Sequence, residues 1–199
     1  IDEAMTAFAD MFALQDRIGE INEELATRTD YESVGYHKLI EELNDINDRL
    51  SYVQSDSPRL QAEKTLVGLG FKKDELDRKR GTFSQGWNMR IELAKVLLRR
   101  PKVIMLDEPT NHLDIESIQW LEDYLTSFSG TLLLISHDRR FLDRVTKRTV
   151  EIMLGKIHDY KVPYSKFKEL RAERLAQQQA AYENQQRMIE KTEEFIERF

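Results

Sequence analysis

Two adjacent carboxylates, Asp107 and Glu108, close the apolar run Val103-Ile104-Met105-Leu106. A carboxylate at the end of a buried strand emerges at the carboxyl edge of a parallel sheet, where α/β folds bind ligands. Asp107 can hold Mg²⁺ there, usually through water, because Mg²⁺ takes few direct carboxylates. Glu108, one residue on, points differently and can polarise an attacking water. Alone this is a weak signal, which a strand running into a solvated loop would also give. Here Pro109-Thr110-Asn111-His112-Leu113-Asp114 follows at once, and a second apolar run, Thr131–Ile135, leads straight into Ser136-His137-Asp138. Upstream, Phe83-Ser84-Gln85-Gly86-Trp87 opens a helix carrying Ile91, Leu93, Ala94, Leu97 and Leu98. A helix start offers free backbone N–H groups and the positive dipole end, which suits a phosphate. Ser84 adds a hydroxyl, and Gly86 lets the backbone approach closely.

These groups need elements to position them. The runs at 103–106 and 131–135 are continuous apolar stretches, which predicts strands buried on both faces. Between them Ile115, Ile118, Leu121 and Leu125 mark an amphipathic helix closed by Ser129-Gly130, giving a strand–helix–strand crossover. A third strand is expected at Thr149–Met153, with a tight turn at Gly155 leading into Lys156–Tyr160. From Tyr164 the sequence predicts one long helix rich in Gln, Glu, Lys and Arg. Its apolar residues Phe167, Leu170, Ile189, Ile196 and Phe199 are too sparse for a buried core helix.

The first stretch, to about Pro58, is helical with a seam. Leu14, Ile18, Ile21 and Leu25, then Leu39, Leu43, Ile46, Leu50 and Val53, recur at steps of three and four. Thr29 followed by Glu32 is a capping-box pattern that predicts the start of the second helix. The short connection favours antiparallel neighbours, so this stretch is either a projecting helical hairpin or part of a bundle core. Its acids, Glu23, Glu24, Glu41, Glu42, Asp45 and Asp48, read as a solvated face.

The 199 residues carry a net charge of −6, with no cysteine and one third charged residues. That excludes disulfides and thiolate metal sites, and it gives no global pull toward nucleic acid. No run approaches the ~20 apolar residues of a spanning helix. The sequence opens Ile1-Asp2-Glu3-Ala4-Met5, with no basic n-region, and reads as a segment of a longer protein.

Taken together, the motifs resemble a known family. Leu106–Asp114 is similar to the Walker B and D-loop of ABC ATPases. Ser136-His137-Asp138 matches their switch histidine, and Phe83–Trp87 matches their signature motif. The Trp87-Asn88-Met89-Arg90 continuation, the Asn111-His112 pair, the helical insertion and the charged terminal helix most resemble the ABC-F subfamily. The fold class expected is therefore α/β: an incomplete P-loop NTPase (ABC ATPase) domain, predominantly helical, with a helical-hairpin arm and a long C-terminal linker helix. Residues 1–59 would be the arm, 60–160 the later part of the ATPase domain, and 161–199 the start of an interdomain linker.

By that resemblance, Asp107 is the Mg²⁺ ligand, Glu108 the water-polarising base and His137 the γ-phosphate sensor. Asp114 communicates across paired domains. Ser84, Gln85 and Gly86 face the ATP bound by the partner domain, with Gln85 standing where the signature has its first glycine. His112 is read as a capping or packing residue at least as readily as a catalytic one. His37 and His158 are read as structural, and Trp87 and Met89 as packing residues. The cofactors implied are ATP and Mg²⁺, and the partner is a second ATPase domain of the same parent chain. No Gly-x-x-x-x-Gly-Lys-Ser/Thr occurs in the sequence, so the chain alone is expected to bind ATP weakly or not at all, and association of two copies is one way to cover its exposed edges.

For the intact parent, the resemblance implies a cytoplasmic ATPase acting on the ribosome and tRNA as a translation factor. The acidic arm argues against phosphate contact along its length, with only Arg28 well placed near the tip. The alternatives are the ATPase subunit of a membrane transporter, or a paralogue acting on DNA or in antibiotic resistance. The helical insertion and charged linker argue against the transporter.

Overall fold

The computed structural model describes residues 1–51 and 57–198. Val53 and Phe199, the last apolar positions of their expected stripes, lie outside the described residues. The chain divides into two compact units, Ile1–Leu133 and Leu134–Phe199.

The first unit opens with a short helix α1 (Asp2–Met5), a 3₁₀ turn (Thr6–Phe8) and the long helices α2 (Ala9–Thr27) and α3 (Val34–Ser51). Helices α4 (Pro58–Gly68) and α5 (Gln85–Leu98), strand β1 (Val103–Asp107) and helix α6 (Ile115–Ser127) follow, and β2 (Thr131–Ile135) pairs with β1. Ala4, Ala7 and Phe8 pack with Ala62, Leu66 and Leu69 of the α4 region and with Ile91, Ala94 and Leu98 of α5 in one core. Phe71, Phe83 and Trp87 add an aromatic cluster, with Phe71 centroids 5.4 Å from Phe83 and 4.8 Å from Trp87. Burying side chains of this size stabilises by about 1.5–3 kcal/mol each.

Local chemistry sets the ends of α4. Ser57 caps its start, its hydroxyl accepting from the Leu60 N–H, and Pro58 occupies the first helical position where no N–H is needed. The end is a Schellman motif: Gly70 N–H donates to the Val67 carbonyl and Phe71 N–H to the Leu66 carbonyl. Gly70 has φ +93°, and a Cβ there would lie 2.5 Å from Arg90 Nη1, so both conformation and space require glycine.

Helices α2 and α3 fold back on each other as the seam predicts. Ile21, Leu39 and Ile46 are buried, flanked by Leu14, Ile18, Leu25, Leu43 and Leu50, in a cluster separate from the main core. A cross-helix ion pair, Arg17 to Glu42, closes the side of the hairpin. Two expectations at its tip are corrected. The cap of α3 is Ser33, whose hydroxyl accepts from the Tyr36 N–H at 3.0 Å, and not Thr29. A turn closed by Ser33 N–H on the Asp30 carbonyl holds Thr29 and Glu32 ahead of the helix, where a capping box cannot form. Arg28 is not presented to solvent as a phosphate anchor. Its guanidinium forks onto Asp30 at 2.9 and 2.7 Å and also reaches Glu24, which holds the Asp30 carboxyl well below its ordinary range.

The expectation of strands buried on both faces is also corrected. Ile104 is 1% exposed, but Val103 is 53% and Met105 70% exposed, so β1 alternates. A continuous apolar run does not say how many faces find cover, because the period of two puts successive side chains on opposite sides.

The second unit contains α7 (Arg139–Val145), β3 (Thr149–Met153), β4 (Lys156–Tyr160) and α8 (Tyr164–Glu197). β3 and β4 pair antiparallel from Thr149↔Tyr160 to Met153↔Lys156, and Leu154 and Gly155 turn at φ +51° and +72°. Two positive φ values match the right-handed twist of a two-residue hairpin turn. Val150, Ile152 and Ile157 are exposed, while Glu151 is held by Arg171 and by Arg174 at 2.6 Å. Burial would push the Glu151 carboxyl up, but the two guanidinium groups outweigh it and hold it below its ordinary value. Phe167 of α8 is buried, its ring 5.0 Å from that of Tyr160. The whole 34-residue α8 is about 50 Å long, and beyond this clamp it is mostly exposed, as its sparse apolar residues predict. No described helix is long and apolar enough to cross a membrane.

Gly70→Ala is expected to destabilise the protein by about 1–3 kcal/mol, because it adds backbone strain and crowds Arg90. Urea unfolding checks this: the midpoint should fall at unchanged m-value, and a neutral substitution would mean that the close approach is not maintained in solution.

Candidate functional site

β1 delivers Asp107 at its last position, exposed at the strand end. The backbone then enters the left-handed region at Glu108, with φ +46°, which swings the second carboxylate away from the strand's alternation. Asn111 N–H donates to the Glu108 carbonyl and Leu113 N–H to the Thr110 carbonyl, folding residues 108–113 into consecutive turns. His112 is the second left-handed residue, at φ +68°. Two non-glycine residues of this kind within five positions are costly, of order 1–3 kcal/mol each, and need surrounding structure to hold them.

Asp114 ends the segment as the cap of α6, its Oδ1 accepting from the Ser117 N–H at 2.9 Å. Its other oxygen accepts from Arg90 Nη1 at 2.8 Å. The Ser117 N–H, with help from the Arg90 guanidinium, lowers the Asp114 carboxyl to about 2.

Arg90 itself is the residue that the motif reading passed over. It is 8% exposed, and its Nε and Nη2 both donate to the His112 carbonyl while Nη1 also reaches the Leu69 carbonyl at 2.9 Å. The guanidinium lies 4.4 Å from the Trp87 ring centroid. A signal was available: Arg90, Ala94 and Leu98 share one helical stripe, and a charge on a core stripe must find partners.

The face of α5 bearing Met89, Leu93 and Val96 and the segment Leu106–Leu113 border a groove of about 360 Å³, lined by both Asp107 and Glu108. One carboxylate oxygen of Glu108 is fully buried. At the head of α5, Ser84 is the cap residue by backbone conformation, yet its hydroxyl makes no capping bond. Ser84 and Gln85 are exposed, and a Cβ added at Gly86 would meet His112 Cβ and Cγ at an ordinary 3.5 and 3.6 Å. Within this chain, then, nothing beside Gly86 demands a glycine. His112 is exposed beside Gly86, and Trp87 packs against Phe71 and Phe83 as expected. Met89 differs from expectation: it is 57% exposed at the groove wall rather than packed.

In the second unit, Ser136 accepts from the Asp138 N–H at 3.1 Å, and Asp138 caps α7 by accepting from the Arg140 and Phe141 N–H groups. These bonds fix the backbone on both sides of His137, which is exposed at the junction of β2 and α7.

The donor set speaks to what a cation here could be. Among the described residues no three His, Cys, Asp or Glu side chains gather into a cage. Asp107 with Glu108 as neighbour suits Mg²⁺, which takes one or two carboxylates and completes its shell with water and phosphate oxygens.

Two family models, both described as ABC transporter, match the chain, one over residues 5–111 and one over residues 150–199. The probable ATP-binding protein YheS of Escherichia coli strain K12 is 42% identical over 82% of this chain and 28% of its own length. The ABC transporter F family member 5 of Arabidopsis thaliana is 35% identical over 99% of this chain and 28% of its own. The human ATP-binding cassette sub-family F member 3 is 37% identical over 79% and 22% respectively. The chain thus spans 22% to 28% of the length of these relatives. Among solved structures, a dimeric bacterial ABC transporter cassette aligns over 60% of this chain and 55% of its own, with 21% identity and a TM-score of 0.44.

The depressed Asp114 carboxyl makes a pH prediction. Its contribution to stability is complete above its unfolded value near 4 and is lost as pH falls through about 2. Asp114→Asn keeps a capping side chain but removes this contribution, roughly 1 kcal/mol once solvent screening of the half-exposed group is allowed for. Urea midpoints of the protein and variant should differ at pH 6 and converge near pH 2. An equal gap at both pH values would contradict the charge-based account.

Proposed function

The chain belongs to the ABC family of ATP-binding proteins, with ABC-F members as its relatives, and from that premise we propose that it supplies the Mg²⁺ and hydrolysis half of an ATPase site. The observation that carries this reading is the groove in which Asp107 and Glu108 meet the α5 face. Asp107 would hold Mg²⁺, which when bound would neutralise charge on the nucleotide phosphates. Glu108, with one oxygen buried and one edge on the groove, accepts a hydrogen bond from the attacking water and orients it. His137 senses the γ-phosphate from the end of β2. Ser84, Gln85 and Gly86, at the open head of α5, face ATP held by a second ATPase domain of the parent chain, and Asp114 lies on the path between the two sites. The uncapped Ser84 hydroxyl supports this, since it is left available to an outside acceptor.

The phosphate-binding loop is not in this sequence, so tight ATP binding and turnover belong to the intact parent. We read residues 1–59 as the arm, rooted in the main core through Ala4, Ala7 and Phe8, 60–160 as the later part of the ATPase domain and 161–199 as linker. The parent is proposed to act in the cytoplasm on the ribosome and tRNA. The separate hydrophobic seam of the α2–α3 hairpin supports an arm that reaches outward. Its tip exposes Tyr31 and Val34 while Arg28 is tied to Asp30, so a contact there is aromatic and apolar in character.

Glu108→Gln in the intact parent should lower ATP hydrolysis by about 100-fold or more while ATP binding persists. With ATP added, the variant should co-sediment with ribosomes. Normal turnover would overturn the role of Glu108. Retained ATP binding without ribosome association would leave the ATPase standing and remove the ribosomal target.

A further inference from the structure

Arg90 is buried, charged and committed through five hydrogen bonds to four acceptors on three other segments. Nε and Nη2 grip the single carbonyl of His112, and Nη1 is shared among the Leu69 carbonyl, Asp114 Oδ2 and Ser117 Oγ. The guanidinium is boxed between the Trp87 ring and Gly70, where even one methyl group would collide with Nη1. Only one of its acceptors is charged, and that carboxylate is half exposed, so most of its donors meet neutral oxygens. For stability alone an apolar side chain often serves as well as a buried ion. What distinguishes this site is the target: the gripped carbonyl belongs to a left-handed residue, four positions after left-handed Glu108 and two before Asp114. The bonds are directed at the strained turn that sets where Glu108 points. Arg90 also lies one helical turn beyond Gly86, where an added Cβ would come within 3.5 Å of the His112 side chain.

We propose that Arg90 is a positioning residue that couples the phosphate-facing head of α5 to the carboxylate turn 107–114, so that seating α5 on a nucleotide aligns Glu108. This rests on the ATPase reading above. A shift of α5 moves the His112 carbonyl and Asp114 with it, because the planar fork transmits direction as well as charge. Lysine cannot reproduce that: its ammonium is a point donor and does not grip one carbonyl through two nitrogens. Misplacing a reacting group by about 1 Å can cost on the order of 100-fold in rate.

The test is Arg90→Lys in the intact parent, with steady-state ATP hydrolysis, thermal melting and amide hydrogen exchange of residues 108–114. The expected result is a fall in kcat of about tenfold or more, KM for ATP within about threefold, and faster exchange at 108–114 with α4 unchanged. A lowered melting temperature with kcat unchanged would reduce Arg90 to a structural residue and overturn the proposal, as would a lysine variant matching the parent. If Arg90→Lys does not fold, Asp114→Asn keeps the cap of α6 and weakens the same coupling. It should lower kcat about threefold at unchanged KM, and an unchanged kcat would overturn the proposal. Failure of the underlying reading is seen separately, in a parent that hydrolyses no ATP before any substitution is made.

Discussion

The grip of the Arg90 guanidinium on the His112 carbonyl and Asp114 is the constraint on which the first unit's functional face depends. It converts three local features, the end of α4, the stripe of α5 and the cap of α6, into one object. Each would form alone: a Schellman stop, an amphipathic helix and an Asx cap are satisfied by near neighbours in sequence. None of them says where the turn after β1 should sit. The guanidinium does, because its five donors have fixed directions and burial penalises any that go unmet.

The same logic recurs in the second unit with the charges reversed. Glu151 sits on the inner side of the β3–β4 hairpin and is gripped by Arg171 and Arg174, while Val150, Ile152 and Ile157 face outward. An isolated two-stranded hairpin is marginal in water, so its attachment to α8 comes from this ion-paired clamp and the Tyr160–Phe167 ring contact. The arm rests on apolar packing. Its α2–α3 seam is a plain stripe of Leu and Ile with an Arg17–Glu42 pair at the side, and it forms a cluster separate from the main core.

These differences bear on function. A hairpin that holds itself together can project without drawing on the ATPase core. In the proposed reading, a strained turn held by the Arg90 guanidinium fixes where the carboxylates are placed and moves as a unit with α5. Such local geometry suits the site proposed above, whose two halves would have to register before chemistry begins.

Much was legible in the residues themselves. Three strands, with the turn at Gly155 that leads into the fourth, were legible from apolar runs and turn residues, and the α6 amphipath, the terminal long helix and the arm's seam from periodicity, because local spacing decides which side chains share a face. The Asp107-Glu108, Ser84–Gly86 and Ser136–Asp138 motifs were visible because their members are adjacent in the chain. What sequence could not decide was anything resting on competition between distant groups. Thr29 and Glu32 satisfy the capping pattern, but the Arg28–Asp30 fork and the turn onto Ser33 win the same backbone. The apolar runs at 103–106 and 131–135 could not reveal which faces would find cover. Arg90 and Gly70, twenty residues apart, became meaningful only when the tertiary structure placed one against the other, since close approach and hydrogen-bond direction are properties of space and not of order along the chain.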